Sequence, residues 1–99
     1  MNIDQPEIEF QDLGDRGRYV HRLDGHEAEL TFARAGASRI VVDHTEVPPV
    51  FRGRGIGEAL VAHAVKEARK NGVKIVPLCS FAAALFRRHH REWQDVLAS

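Results

Sequence analysis

A chain of 99 residues, 43% hydrophobic and 28% charged, has the composition of one small globular domain, residues 1–99, and little length for a second. Its 14 basic side chains balance its 14 acidic ones, which excludes a global field drawing it to nucleic acid, an anionic membrane or a polyanionic substrate, so any anion site has to be local. The lone Cys79 allows no internal disulfide, and without a second thiol at metal spacing it allows no zinc knuckle.

Residues 1–16 are polar and glycine-punctuated, and they predict a loosely held arm with an edge strand around residues 8–10. Asp4, Glu7 and Glu9 stand where a signal peptide would be basic and then apolar, and no apolar run reaches the roughly eighteen residues of a membrane span. The expected location is therefore cytoplasmic. In residues 18–23, Tyr19 and Leu23 alternate with Arg18 and Arg22, and Asp24-Gly25 is a hairpin dipeptide. Residues 26–33 put Ala28, Leu30 and Phe32 on one face and Glu27, Glu29 and Thr31 on the other, the period of a half-buried strand. A turn at residues 35–37 leads to a third strand over residues 39–47. Strict alternation there places Ile40, Val42 and His44 on one face and Val41, Asp43 and Thr45 on the other. It stops at Pro48-Pro49, which have no N–H for a ladder.

After a glycine-rich turn, Ile56, Leu60, Val61, Ala64, Val65 and Ala68 recur at helical spacing, with Glu58, Lys66, Glu67 and Arg69 opposite and His63 at the edge. Asn71-Gly72 ends this helix. Residues 73–78 form a short apolar strand that runs parallel to the third, with the helix as its crossover. Ser80 is the expected N-cap of a last helix in which Phe81, Leu85 and Phe86 face inward and residues 87–91 occupy the final turns. The order β-β-β-α-β-α predicts an α+β fold on a mixed, mostly antiparallel sheet of four to five strands. Residues 92–99 are a tail whose Trp93, Val96 and Leu97 either cover the sheet edge or meet a partner chain. The expected state is a monomer or a weak homodimer.

One loop carries the chemistry. Arg52, Gly53, Arg54, Gly55, Ile56 and Gly57 lie between the end of a strand and the start of a long amphipathic helix. Glycines let backbone amides approach an anion closely, and the first helical turn adds unpaired N–H donors and a positive dipole end. The spacing is G-x-G-x-G, so it lacks the Gly-Lys-Ser/Thr of a P-loop. It also lacks the acid some twenty residues on that a dinucleotide fingerprint needs, since Pro77 stands there. The alternative is a solvated turn with solubilising arginines, and the strand-loop-helix setting favours a pyrophosphate cradle.

Arg52, Arg54, Gly55 and Gly57 resemble the R-x-x-G-x-G/A acetyl-CoA signature of the GNAT acyltransferase superfamily. With residues 44–48, residues 77–81 and Arg88-His89, the chain is similar over roughly residues 18–91 to small YjdJ-type N-acetyltransferase-like domains. The resemblance implies a GNAT-like α/β arrangement whose parallel strands splay at a bulge near Val47-Pro48 and flank a cofactor cleft. Residues 52–57 would hold the pyrophosphate of acetyl-CoA, and the Val47 backbone its pantetheine. Fuller members carry a further helical segment near the start that contributes to the acceptor site, and 99 residues leave little room for one.

Acetyl transfer needs a deprotonated amine, a donor for the oxyanion and an acid for the departing thiolate. Cys79 sits just past the fourth predicted strand and before the last helix, where open α/β sheets bind ligands. It is either a covalent or cofactor-contacting residue or a small core hydrophobe. His44 and Glu46 share a strand face and are the base candidates, against a satisfied histidine and a solvated strand end. The resemblance implies a tyrosine acid after the splayed strand, but Phe81 and Phe86 stand in that stretch, and Tyr19, the only tyrosine, reads as core packing.

The basic residues 87–91 suit a helix C-terminus as well as they suit nucleic acid, and nucleic acid is not expected as a partner. No metal is expected either. The function implied is an acetyl-CoA-dependent N-acetyltransferase acting on an amine of an unidentified small molecule or protein. The alternatives are a non-catalytic acetyl-CoA/CoA-binding or sensing module, and an interaction domain whose glycine-arginine loop is only a turn.

Overall fold

The computed structural model describes residues 6–98; residues 1–5 of the expected arm, and residue 99, lie outside them. One sheet holds five strands in chain order: β1 (Glu9–Asp12), β2 (Arg16–Leu23), β3 (His26–Ala35), β4 (Arg39–Glu46) and β5 (Lys74–Pro77). The first four pair antiparallel, and β4 pairs parallel with β5 through the helix α1 (Ile56–Asn71). The expected fold class holds, with β1 supplying the edge strand slightly later than residues 8–10. Asp24 and Gly25 turn the β2–β3 hairpin with φ of 53° and 78°, the doubly left-handed turn whose twist matches the strands.

Register puts Tyr19 opposite Leu30 and His21 opposite Ala28. Tyr19, Ala28 and Leu30, with Phe32 and Val42, meet Leu60, Val61, Ala64, Val65 and Ala68 of α1 in the core. His63 lies at the edge of this contact, its ring edge-on to Tyr19 at 4.9 Å. Burial pushes its pKa below the ordinary histidine value of 6.5, with Glu67 pulling the other way.

Unbroken alternation fails in β4. Thr31 pairs with His44, but Phe32 pairs with Val42, so Asp43 is an extra residue. A bulge of one residue exchanges the faces beyond it. His44 and Glu46 therefore turn to the outer face, and Thr45, opposite the buried Leu30, takes the core side. The face expected for Ile40, Val42 and His44 breaks at Asp43. Burial pushes the Asp43 carboxyl up, but hydrogen bonds from Thr31 (2.7 Å) and Arg16 (2.8 Å) outweigh it and hold the group below its ordinary value.

The β4–β5 pairing spans only Arg39↔Lys74 to Val42↔Pro77. Leu78 and Cys79 then both donate their amides to the Val42 carbonyl, at 2.9 and 3.0 Å. The strands thus part after Val42, with the bulge at Asp43 rather than near Val47-Pro48. The helix α2 (Ser80–Arg88) begins there, and its N-cap is Cys79, whose Sγ accepts from the Ala82 amide at 3.4 Å, in place of Ser80.

Leu85 and Phe86 are buried as expected, but Phe81 stays 42% exposed. Residues 87–91 do not end one helix. The chain breaks at His89 and continues as α3 (His90–Trp93) and a 3-10 turn over Gln94–Val96. The expected tail is part of the core: Trp93 and Val96 are buried, and Phe86 meets Trp93 edge-on at 5.1 Å. Leu97 bridges to Ile75, Ala98 donates to the Ile75 carbonyl, and Arg69 forks onto Asp95 at 2.7 and 2.9 Å. Backbone thus covers the outer edge of β5, the first of the two alternatives for this segment.

Trp93→Ala should lower unfolding stability by about 3–5 kcal/mol, read by urea denaturation followed by far-ultraviolet circular dichroism. A second expectation concerns acid. His63 titrates lower in the fold than in the unfolded chain, so its share of stability is complete above the unfolded value and shrinks as pH falls through the folded one. Between about pH 7.5 and about pH 5.5, His63→Gln should lose less stability than the parent chain. Equal losses would remove His63 from the acid response.

Candidate functional site

Beyond Glu46, proline removes the ladder donors and the chain folds into a 3-10 turn, Pro49–Phe51. Phe51 is buried against the rings of His21 (5.4 Å) and His26 (6.4 Å), which pins the turn to the β2–β3 hairpin. Arg52 and Arg54 donate their amides back to the Pro49 and Phe51 carbonyls. Gly55 then caps α1 with φ of 70°, a left-handed conformation that glycine adopts without strain. No side chain caps this helix. Among the described residues, the amides of Gly53, Gly55, Ile56, Gly57 and Glu58 have no hydrogen-bond partner. An uncapped helix start with free amides is an anion-binding arrangement.

Three elements converge here. A Cβ on Gly57 would lie 2.7 Å from Phe81 Cζ and 3.2 Å from Val47 Cγ2, so the bare backbone lets the start of α2 and the end of β4 close on the first turn of α1. A groove of about 280 Å³ runs between them. Val47 and the Arg52 loop line it, together with Phe81, Leu85 and Arg88 of α2. Arg52, Gly53, Gly55, Ile56 and Gly57 all reach it, whereas Arg54 does not.

Cys79 stands where β4 and β5 part. Its Sγ lies 4.0 Å from Thr45 Oγ1, and its neighbour Leu78 is 66% exposed. His44 and Glu46 lie on the other side of β4, 3.6 Å apart and exposed to solvent. They converge with Glu29, all three offering ligand atoms within 4.8 Å of one another. Arg18 already binds Glu29 at 2.5 Å. The base candidates and the thiol are therefore not one cluster, because β4 separates them.

Sequence reasoning missed the placement of five residues of this site. Thr45 was misplaced by the bulge. Phe81, with Leu85 and Arg88, follows i, i+4, i+7 spacing along α2, a signal that could have grouped them as one stripe. Glu58 was read only as solvated. It sits in the first turn of α1, where the dipole favours an anion, and His89 Nε2 holds it at 2.9 Å.

A family model described as GCN5-related N-acetyl-transferase matches residues 18–96. The solution structure of a GCN5-like protein from Staphylococcus aureus is similar, with 28% identity and a TM-score of 0.68, covering 92% of this chain and 88% of that one. The crystal structure of nourseothricin acetyltransferase is similar at 29% identity with a TM-score of 0.57. That match covers 80% of this chain but only 51% of the larger protein.

The contact at Gly57 can be tested by a double-mutant cycle. Gly57→Ala alone should destabilise by about 1 kcal/mol, because its methyl group displaces the Phe81 ring. In a Phe81→Ala background the same change should be neutral or stabilising, since alanine is the better helix former. Equal effects in both backgrounds would show that Phe81 does not rest on Gly57.

Proposed function

The chain belongs to the GCN5-related N-acetyltransferases, and we propose that it transfers the acetyl group of acetyl-coenzyme A to an amine, using the groove at the start of α1 for the phosphates. The observation that carries this reading is the uncapped helix start, whose free amides stand beside Arg52 in the wall of a groove that reaches Val47 and Phe81. Those residues fit a diphosphate. Amides answer its oxygens, the guanidinium of Arg52 answers its charge, and no side chain caps those amides.

From there the pantetheine runs past Val47 into the opening between β4 and β5. That opening exists because the strands part after Val42. The thioester then lies toward Thr45 and Cys79, whose hydroxyl and thiol are in contact at 4.0 Å. The amine nitrogen attacks the thioester carbonyl, the C–S bond breaks, the amine gives up a proton and the thiolate takes one. Glu46 and His44, solvent-facing on the outer side of β4, suit an amine that arrives from solvent on that side. Cys79 fits the thiolate end. Its sulfur is already the cap of α2, so it serves as the wall of the reaction site whether or not acetyl passes through it.

Calorimetric titration with acetyl-coenzyme A tests the cradle. Arg52→Glu should weaken binding roughly tenfold or more, and Arg54→Glu by less, since Arg54 does not line the groove. Turnover on a panel of amines should fall about a hundredfold in Glu46→Gln if that carboxylate is the base. Cys79→Ala that turns over normally would exclude a covalent acetyl-cysteine. Binding without release of coenzyme A on any amine would reduce the protein to cofactor capture, and absence of binding at millimolar ligand would end the reading.

A further inference from the structure

The groove has a second charged wall. Glu58, in the first turn of α1, lines it, and its carboxylate is bound by His89 Nε2 at 2.9 Å with Arg88 Nη1 at 4.0 Å from the other oxygen. A carboxylate therefore already stands in the first turn of α1, beside the free amides but bonded away from them toward α2. Arg88 is 68% exposed, and that long contact is its only ion pair among the described residues. Most of the five donors of its guanidinium are free. It sits seven residues beyond Phe81 on α2, about 10 Å along the helix axis. The stripe from Phe81 through Leu85 to Arg88 thus leads along the groove from the start of α2 to the charged end.

We propose that Arg88 is a phosphate-binding residue of the groove, closing the Arg52 loop from the α2 side, and that Glu58 is its placeholder counter-ion, which a phosphate-bearing ligand displaces. The proposal rests on the acetyl-coenzyme A reading only for the identity of that ligand. A planar guanidinium fork matches a phosphate bidentately, which a contact of 4.0 Å to a carboxylate does not. His89 is stacked on Trp93 at 4.4 Å and lies 3.5 Å from Glu92. It is anchored well enough to keep Glu58 turned toward α2 once Arg88 has let go. Arg52 and Arg88 would then face the same ligand from two elements, while the helix amides meet it from a third.

The test is titration of the full chain with acetyl-coenzyme A, dephospho-coenzyme A and inorganic pyrophosphate, with circular dichroism confirming that each variant is folded. Arg88→Ala should bind acetyl-coenzyme A roughly tenfold more weakly, with Arg88→Lys in between. Glu58→Gln should bind about threefold more tightly, and that gain should disappear in the Arg88→Ala background, because the carboxylate acts by holding the guanidinium. A loss that extends to pyrophosphate assigns Arg88 to the diphosphate; a loss confined to ligands with the 3′-phosphate assigns it there. Either supports the clamp. An Arg88→Ala chain within twofold of the parent for all three ligands overturns it. So does a Glu58→Gln gain that survives without Arg88, since Glu58 would then be repelling the ligand directly. A parent chain that takes pyrophosphate but no coenzyme A would sink the acetyl-transfer reading and leave the clamp standing.

Discussion

The carbonyl of Val42 accepts the amides of both Leu78 and Cys79, and the geometry of the cleft depends on that shared acceptor. Up to it, β4 and β5 are an ordinary parallel pair. At it, one oxygen serves two successive donors, so the chain after Pro77 can no longer keep a ladder register and swings into α2. Pro77, the partner of Val42, has no amide to offer, and Asp43 immediately disturbs the other strand. Two sequence features thus end the pairing at one point, beside the contact of Thr45 on β4 with Cys79 at the start of α2.

The glycine-arginine loop depends on that parting of the strands in turn. β4 has to run on past β5 for Pro48-Pro49 to start a turn beside it, and the turn is fixed by Phe51 in its setting of two histidine rings. With the start of the loop buried, its exposed half from Arg52 to Gly55 needs no side-chain cap to hold its shape, and the amides stay free for a ligand. Gly57 then allows Phe81 and Val47 to approach the helix closely enough for the groove to have two walls. In a GCN5-related N-acetyltransferase of 99 residues, the supports of the groove are therefore also core residues.

Most of the fold was legible because it follows period and punctuation: the Asp24-Gly25 turn, the stripe from Ile56 to Ala68, the stop at Gly72, the order of elements. The bulge was not legible, because nothing local distinguishes Asp43 from its neighbours. It is stabilised by Thr31 and Arg16, which lie 12 and 27 residues away in sequence. The same holds for the C-terminal segment. Trp93 and Val96 carry no helical or strand period, and only the bare edge of β5 and the Arg69–Asp95 pair show where they go. The loop over residues 52–57 was readable as residues but not as the wall of a groove: Arg52 and Arg54 look alike in sequence, and only the folded chain separates the one that lines it.

The bulge also resolves a conflict that strict alternation would create. Continued from Val42 without an extra residue, β4 would point His44 and Glu46 under α1, beside Leu30 and Leu60, where an unpaired carboxylate is expensive to bury. Thr45 would face water. By inserting Asp43 between Val42 and His44, the strand turns both titratable side chains to solvent and brings in a hydroxyl that can sit against a sulfur. One irregular residue therefore keeps the core apolar and divides the strand's chemistry between its two sides. An amine approaching Glu46 and a thioester approaching Cys79 would meet across the edge of β4, so the strand itself would set the direction of transfer.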